Sequence, residues 1–247
     1  MADKTRGNAA KSATSGKATK TPKGTRATKA EASKPSLSDL AYKRVLEVLF
    51  DRRIAAGAMV SQAELVELID VPVGPLRDAL RVLQAEGLLT IHSRLGIEFI
   101  KPGLELLRST YQLRGIIESA AVAVYAETAD AHDMEEMERV HREAVASLER
   151  EGLTPEIRDS IEELDAHLHT MIIASLNSPL VENVYRRIHN YLRILRLDRR
   201  QTEPLAMRFL QEHLAIIAAC RRRKPGEAQA ALQVHFANAL QRNMGLY

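Results

Sequence analysis

Between residues 37 and 102, apolar positions recur at three- and four-residue intervals in three short runs separated by turn-forming residues. Ala41, Val45, Val48 and Leu49 mark the first run. It predicts a helix capped by Ser38 and running to about Arg53, with Lys43, Arg44 and Glu47 on its outer side. Ser61 and Glu64 then form the S-x-x-E spacing of a capping box, followed by Leu65, Val66, Leu68 and Ile69 as a buried face. The stretch from Asp70 to Pro75 reads as a turn leading into a third helix, because proline suits a first helical turn. Leu76, Ala79, Leu80 and Leu83 define its inner face, Arg77, Asp78 and Arg81 its outer face, and Gly87 its stop. Two β-rich pieces, Leu89–His92 and Ile97–Lys101, flank Ser93-Arg94-Leu95-Gly96 and predict a hairpin with a cationic tip.

From residue 103 onward the helical period continues without strand alternation or a glycine-rich phosphate loop. The predicted helices are 104–128, 132–151, 154–176, 178–198, 203–222 and 225–243. Breaks fall at Gly152, Asn177-Ser178-Pro179, Gln201 to Pro204 and Pro225-Gly226. The reading is mainly α: a winged helix-turn-helix over 37–102 and an all-α helical bundle over 103–247.

Residues 1–36 change the picture. They hold nine Lys/Arg against Asp3 and Glu31, a net +7, whereas the remaining chain carries −4. Ala, Thr, Ser and Gly supply most of the rest, so a disordered basic tail is expected. Beside a DNA-binding module such an arm would add salt-sensitive phosphate contacts; as a plain linker it would only solubilise. The single cysteine, Cys220, excludes an intramolecular disulfide and a cysteine-based zinc finger, and a reducing, cytoplasmic setting follows as the default. No apolar run approaches a membrane span, and the basic N-terminus lacks the apolar core of a secretory signal.

The ordered set of helix, capped helix, arginine-bearing helix and hairpin points to double-stranded DNA. A recognition helix offers its N-terminal residues to base edges or phosphates, and arginine can bind guanine through two parallel hydrogen bonds. Arg77 and Arg81 are the candidate readers, Arg94 the candidate minor-groove contact, with Arg44, Ser61, Gly74 and Gly96 completing the predicted surface. Taken singly, each arginine reads better as part of a solvated helix face.

In the helical half, Asp165 and His169 lie four residues apart, flanked by Leu164, Leu168 and Ile172. His213 follows Leu210 and precedes Ile217; His235 stands between Leu232 and Ala239. One carboxylate and three imidazoles on apolar faces of three helices suit a divalent transition metal such as Zn, Ni or Mn. Each histidine alone reads more simply as a hydrogen-bonded core residue. His92, His132, His141, His167 and His189 are assigned to the surface or to structural roles, His141 to a charged helical surface.

The run from Gly57 to Leu65 (G-x-x-V-S-Q-A-E-L), Pro75 to Leu80 (P-L-R-D-A-L) and Leu83 to Leu88 (L-x-x-E-G-L), with Gly96, resembles the N-terminal domain of the GntR family of bacterial transcription regulators. The chain departs from the family at Pro72 and Val73, where Ser or Thr followed by a base-contacting Arg is usual. Residues 105–240 resemble the FCD ligand-binding domain of one GntR subfamily. The resemblance rests on Tyr111 to Glu118 (Y-Q-L-R-G-I-I-E), Asp165 to His169 (D-A-H-L-H), Glu212 to Ile217 (E-H-L-A-I-I) and the final helix bearing His235. Asn177-Ser178-Pro179 departs from the family's Gly-Asn turn. The resemblance implies a metal on Asp165, His169, His213 and His235, and a carboxylate effector gripped by Arg114. An intrahelical pair between Arg114 and Glu118 is the alternative or additional role of that arginine.

Together these readings predict an effector-responsive regulator, a repressor by the family's commoner mode, acting as a homodimer on a pseudo-palindromic operator. Two other functional classes compete with this reading. A metal-dependent hydrolase could use the same quartet to activate water, but no further acid or base stands near it in the sequence. An architectural DNA-binding protein would use the basic tail, and does not need the large helical half.

Overall fold

The computed structural model describes residues 36–197 and 201–244. The disordered tail expected over residues 1–36 falls outside them except for Ser36, which is ordered as the cap of the first helix. Helix α1 spans Leu37–Phe50, and its cap is Ser36 rather than Ser38. Asp39 stands three residues after Ser36, so the pair closes a capping box; Ser38 has already entered the first turn. Helix α2, Gln62–Ile69, carries the predicted box: the Glu64 amide donates to Ser61 Oγ at 3.1 Å, and the Ser61 amide donates to Glu64 Oε2 at 2.6 Å. Of the face assigned to it, Leu65 and Ile69 are buried, whereas Val66 and Leu68 are only half-buried. Helix α3, Val73–Ala85, begins two residues before Pro75, with Pro72 in the capping position. Leu76, Ala79, Leu80 and Leu83 are its buried face, as the spacing predicts.

Three strands complete this half: β1 (Met59–Val60), β2 (Leu89–His92) and β3 (Gly96–Phe99), in the order β1-β3-β2, all antiparallel. The hairpin β2–β3 was legible; β1 was not, because two residues carry no period. Gly96 explains how β1 fits. Its φ is +122°, and a Cβ there would sit 2.7 Å from the Val60 carbonyl oxygen, so the strand can approach only a glycine.

Six helices follow: α4 (Leu104–Thr128), α5 (Ala131–Glu151), α6 (Pro155–Ala174), α7 (Pro179–Arg196), α8 (Glu203–Arg221) and α9 (Pro225–Met244). Asp130, Thr154 and Ser178 cap α5, α6 and α7, and proline opens α6, α7 and α9. Helix α4 packs on α9, α6, α7 and α8, while α8 is held between α5 and α9. Val122, Leu168, Ile172, Ile216 and Leu232 are among the side chains of their common core.

Helix α7 joins the halves. Ile194 is buried in the core of the winged half with Leu49, Leu65 and Leu83. Asn190 Nδ2 donates to the Tyr42 hydroxyl at 3.1 Å, which itself donates to Glu86 Oε2 at 2.7 Å. The Tyr191 hydroxyl donates to the Glu86 carbonyl, and the Arg193 guanidinium lies 3.7 Å from the centre of the Phe50 ring. Among the described residues no helix is long and apolar enough to cross a membrane.

Candidate functional site

Asp165 and His169 on α6, His213 on α8 and His235 on α9 meet inside the helical half, as their spacing on apolar faces predicts. One ligand atom from each lies within 4.8 Å of all the others. The four residues offer Asp165 Oδ1 and the Nε2 atoms of His169, His213 and His235, with Oδ1 3.4 Å from His169 Nε2 and 3.6 Å from His213 Nε2. All four are buried without a hydrogen-bond partner among the described residues. Buried polar atoms without hydrogen bonds are costly, of order 1–3 kcal/mol each, and these four form a group that could hold a metal ion. Three imidazole nitrogens and one carboxylate oxygen fit a divalent transition metal, with bonds of about 2.0–2.2 Å in the case of zinc.

Each of these side chains is held from behind. Arg196 Nη1 donates to Asp165 Oδ2 at 2.5 Å. His169 Nδ1 lies 2.5 Å from Glu118 Oε2, His235 Nδ1 2.9 Å from Glu212 Oε2, and His213 Nδ1 3.1 Å from His141 Nε2. Arg114 Nε donates to Glu118 Oε1 at 2.6 Å, and Arg242 grips Glu212 through two hydrogen bonds of 2.7 Å. Partners of this kind orient imidazole ligands and raise their basicity.

The protonation states follow. Burial pushes His213 well below the usual imidazole range and His235 down to about 4, so both are neutral ligands near neutrality. Burial opposes the charge of Asp165 too, but Arg196 and the neighbouring imidazoles hold the carboxyl well below its ordinary range. Burial works against a proton on His169, yet Glu118 overrides it and raises the ring; metal binding would have to displace that proton.

His141 corrects the sequence reading. It is fully buried against His213, not on a charged surface. Glu135, Glu136, Glu138, Arg139 and Arg142 crowd the outer side of α5 and mask an inner stripe of Met134, Met137, His141, Ala144 and Leu148. That stripe has helical period and was the available signal. Glu118 was read only as a helix partner of Arg114, Glu212 stood inside a quoted motif without a role, and Arg196 and Arg242 were missed because only tertiary packing brings them near.

Arg114 is fully buried, with its guanidinium carbon 4.5 Å from the centre of the Phe236 ring. It makes the i,i+4 pair with Glu118, and both Nη atoms lack a partner among the described residues. Two buried donors on one guanidinium are available to a carboxylate.

A cavity of about 840 Å³ is bordered by Phe50 at the end of α1 and by Arg158, Glu162, His189, Arg193 and Arg196. A pocket of about 40 Å³ shares Arg158, Glu162 and Arg196 with it and reaches Asp165. His189 in the cavity wall is pushed down to about 4 by burial, from its ordinary 6.5. Its neutral form therefore contributes stability that is complete above pH 6.5 and is lost as pH falls toward about 4. Replacing His189 with Gln should flatten that limb in denaturant titrations across the same pH range; a limb parallel to wild type would contradict the assignment.

On the winged half, Arg77 and Arg81 stand on the exposed side of α3, Arg81 with 75% of its side chain accessible. Arg77 Nε donates to Gln62 Oε1 at 3.2 Å, at the first residue of α2. Arg94 sits exposed at the hairpin tip with φ of +68°. Gly74 lies in the first turn of α3, with nothing within 4 Å of where its Cβ would be, so a backbone could approach closely. Two residues serve the fold as well. Ser61 Oγ is engaged in its cap, and Arg44 Nη1 donates to the Ile69 and Asp70 carbonyls at 2.6 and 2.9 Å, closing the end of α2.

Fold and site define a class: a winged helix-turn-helix fused to a helical bundle with a buried Asp/His cluster. Residues 37–99 match the family described as bacterial regulatory proteins, gntR family, and residues 109–238 match the FCD domain. The chain belongs to the GntR family of transcription regulators, in its FCD-domain branch. It is 20% identical over 195 residues to an uncharacterized HTH-type transcriptional regulator, YdhC of Bacillus subtilis (strain 168), covering 79% of this chain and 85% of that one. Two solved structures share the fold. E. coli McbR/YncC has a TM-score of 0.70 at 16% identity, covering 87% of this chain and 100% of that one. A GntR-type protein from Rhodococcus sp. RHA1 has a TM-score of 0.68 at 19% identity, covering 85% and 98%. The chain is thus a DNA-binding transcription regulator, as its family and relatives are, and not an enzyme.

Proposed function

We propose that this regulator is a repressor released by a small carboxylate, which binds at a divalent metal held by Asp165, His169, His213 and His235. The four orphaned ligand atoms converging in the helical half carry this reading. A bound Zn, Ni or Mn ion would supply Lewis-acid coordination for a carboxylate oxygen. Arg114, with two free buried donors, would take another oxygen of the same ligand. The chain would act as a homodimer, one winged half on each half of a pseudo-palindromic operator.

Ligand control requires different affinities for DNA-competent and DNA-incompetent arrangements. Helix α7 offers the connection. Arg196 near its end holds Asp165, and two residues earlier Ile194 is buried in the winged core. A ligand that draws on Asp165 would load the helix that Tyr42 and Glu86 anchor.

The test is a mobility-shift titration of promoter fragments at physiological salt, with and without small mono- and dicarboxylic acids. Sequence-selective binding weakened by one acid supports the reading; binding indifferent to sequence and acid would sink it. On the operator so found, Arg77→Ala is expected to lose about 1–3 kcal/mol if Arg77 reads a base pair. Equal loss on operator and random duplex would make it a phosphate anchor instead.

A further inference from the structure

Helix α5 supplies none of the four converging ligand atoms, yet one of its side chains is locked into the cluster. His141 Nδ1 lies 2.7 Å from the Met137 carbonyl oxygen, and its Nε2 lies 3.1 Å from His213 Nδ1. A carbonyl oxygen only accepts, so His141 carries a hydrogen on Nδ1. The ring is fully buried and its hydrogen bonds include no carboxylate, which favours the neutral form; a neutral imidazole has a single N–H, leaving Nε2 as an acceptor. His213 must then carry its own hydrogen on Nδ1 to donate to it. The consequence is a bare Nε2 on His213, the atom that lies 3.6 Å from Asp165 Oδ1 without a hydrogen-bond partner.

From this chain of hydrogens we infer that His141 is a positioning residue: it fixes the tautomer and ring orientation of His213, and so presents His213 Nε2 to a cation. The cation half of this inference rests on the metal reading above; the tautomer half does not. The reversed chain would place hydrogen on His213 Nε2, facing the other ligand atoms and closing that nitrogen to metal. The other two imidazoles are held differently. His169 and His235 rest on Glu118 and Glu212, carboxylates bound in turn by Arg114 and Arg242. His213 rests instead on an imidazole that is itself fixed by a backbone carbonyl, so its orientation depends on that single hydrogen bond.

Two measurements test the inference. In the metal-free full chain, long-range proton–nitrogen correlation spectra of the imidazoles should show hydrogen on Nδ1 of both His141 and His213; hydrogen on Nε2 of His213 overturns the inference. Zinc affinity, read by competition with a chromophoric chelator, should fall about 10–100-fold in His141→Leu and stay within about threefold of wild type in His141→Gln. Glutamine places an amide oxygen near the position of Nε2, whereas leucine keeps bulk and offers no acceptor. Wild-type affinity in His141→Leu overturns the role, as does equal weakening in both variants, the mark of a packing role alone. If His141→Leu does not fold, the spectra decide by themselves. A wild-type chain that binds no zinc, nickel or manganese would overturn the metal reading, and the spectra would still decide the tautomer.

Discussion

Replacing Glu118 with alanine is expected to destabilise the metal-free protein by about 3–5 kcal/mol. Glu118 is fully buried and holds two groups at once, Arg114 Nε at 2.6 Å and His169 Nδ1 at 2.5 Å. Its removal leaves the Arg114 guanidinium buried with no charged partner on its own helix, since both Nη atoms already lack partners. A buried charge stripped of its counter-ion costs more than the pair ever contributed, and this asymmetry sets the magnitude. The pH dependence has a definite sign. Burial raises the Glu118 carboxyl, but Arg114 and His169 outweigh it and hold the group below its ordinary 4.5. Its contribution is therefore present above pH 4.5 and is lost as pH falls below that value. Urea titrations of wild type and Glu118→Ala should converge in acid. A difference below about 1 kcal/mol at neutral pH, within the range of an exposed ion pair, would contradict the assignment.

The second large effect is on metal. His235→Ala is expected to weaken zinc binding by more than about 100-fold, because changes outside the ligand shell alone cost about 10–100-fold. His235 meets no other demand that would obscure the result: its Nε2 is an orphan, and its Nδ1 rests on Glu212, which Arg242 and Asn238 continue to hold. Metal content of purified protein, measured by elemental analysis, checks it. Wild-type metal content in His235→Ala would remove His235 from the ligand set.

Much of this was legible before the structure. Helical period and stop signals placed all six helices of the second half within three residues at each described end, because breakers such as Gly152 and Pro225 stand where the period fails. The capping box at Ser61 was readable because Glu64 stands at the required distance; the one at Ser36 was overlooked in favour of Ser38, although Asp39 marks it by the same rule. The four converging residues could be placed on inner faces from spacing alone. Their supports could not. Arg196, Arg242 and Glu212 reach the cluster from different helices, and no local period encodes which helix packs against which. Helix α7 shows the same limit. Its apolar positions read as bundle core, yet Ile194 is buried in the winged half. Arg44 reads in the sequence as an outward cation, and the structure turns it onto the last carbonyls of α2.

The departure at Pro72 and Val73 takes a physical form. Pro72 is the capping residue of α3 and provides no side-chain cap, while Val73 is exposed at the first helical position. An apolar side chain stands where the family commonly presents a base-reading arginine. Arg77, Arg81 and Arg94 are then the exposed cations left on α3 and the hairpin to carry that work, which is why Arg77→Ala separates base reading from phosphate anchoring.

The central claim is that the quartet of Asp165, His169, His213 and His235 holds a metal through which a carboxylate acts. It is tested most directly by thermal unfolding of the full chain against a panel of small mono- and dicarboxylates, with and without chelator. The account predicts that the protein melts at lower temperature after chelation, that at least one acid raises the melting temperature, and that chelator abolishes this rise. Protein that purifies without metal, melts identically after chelation and responds to no acid would contradict it.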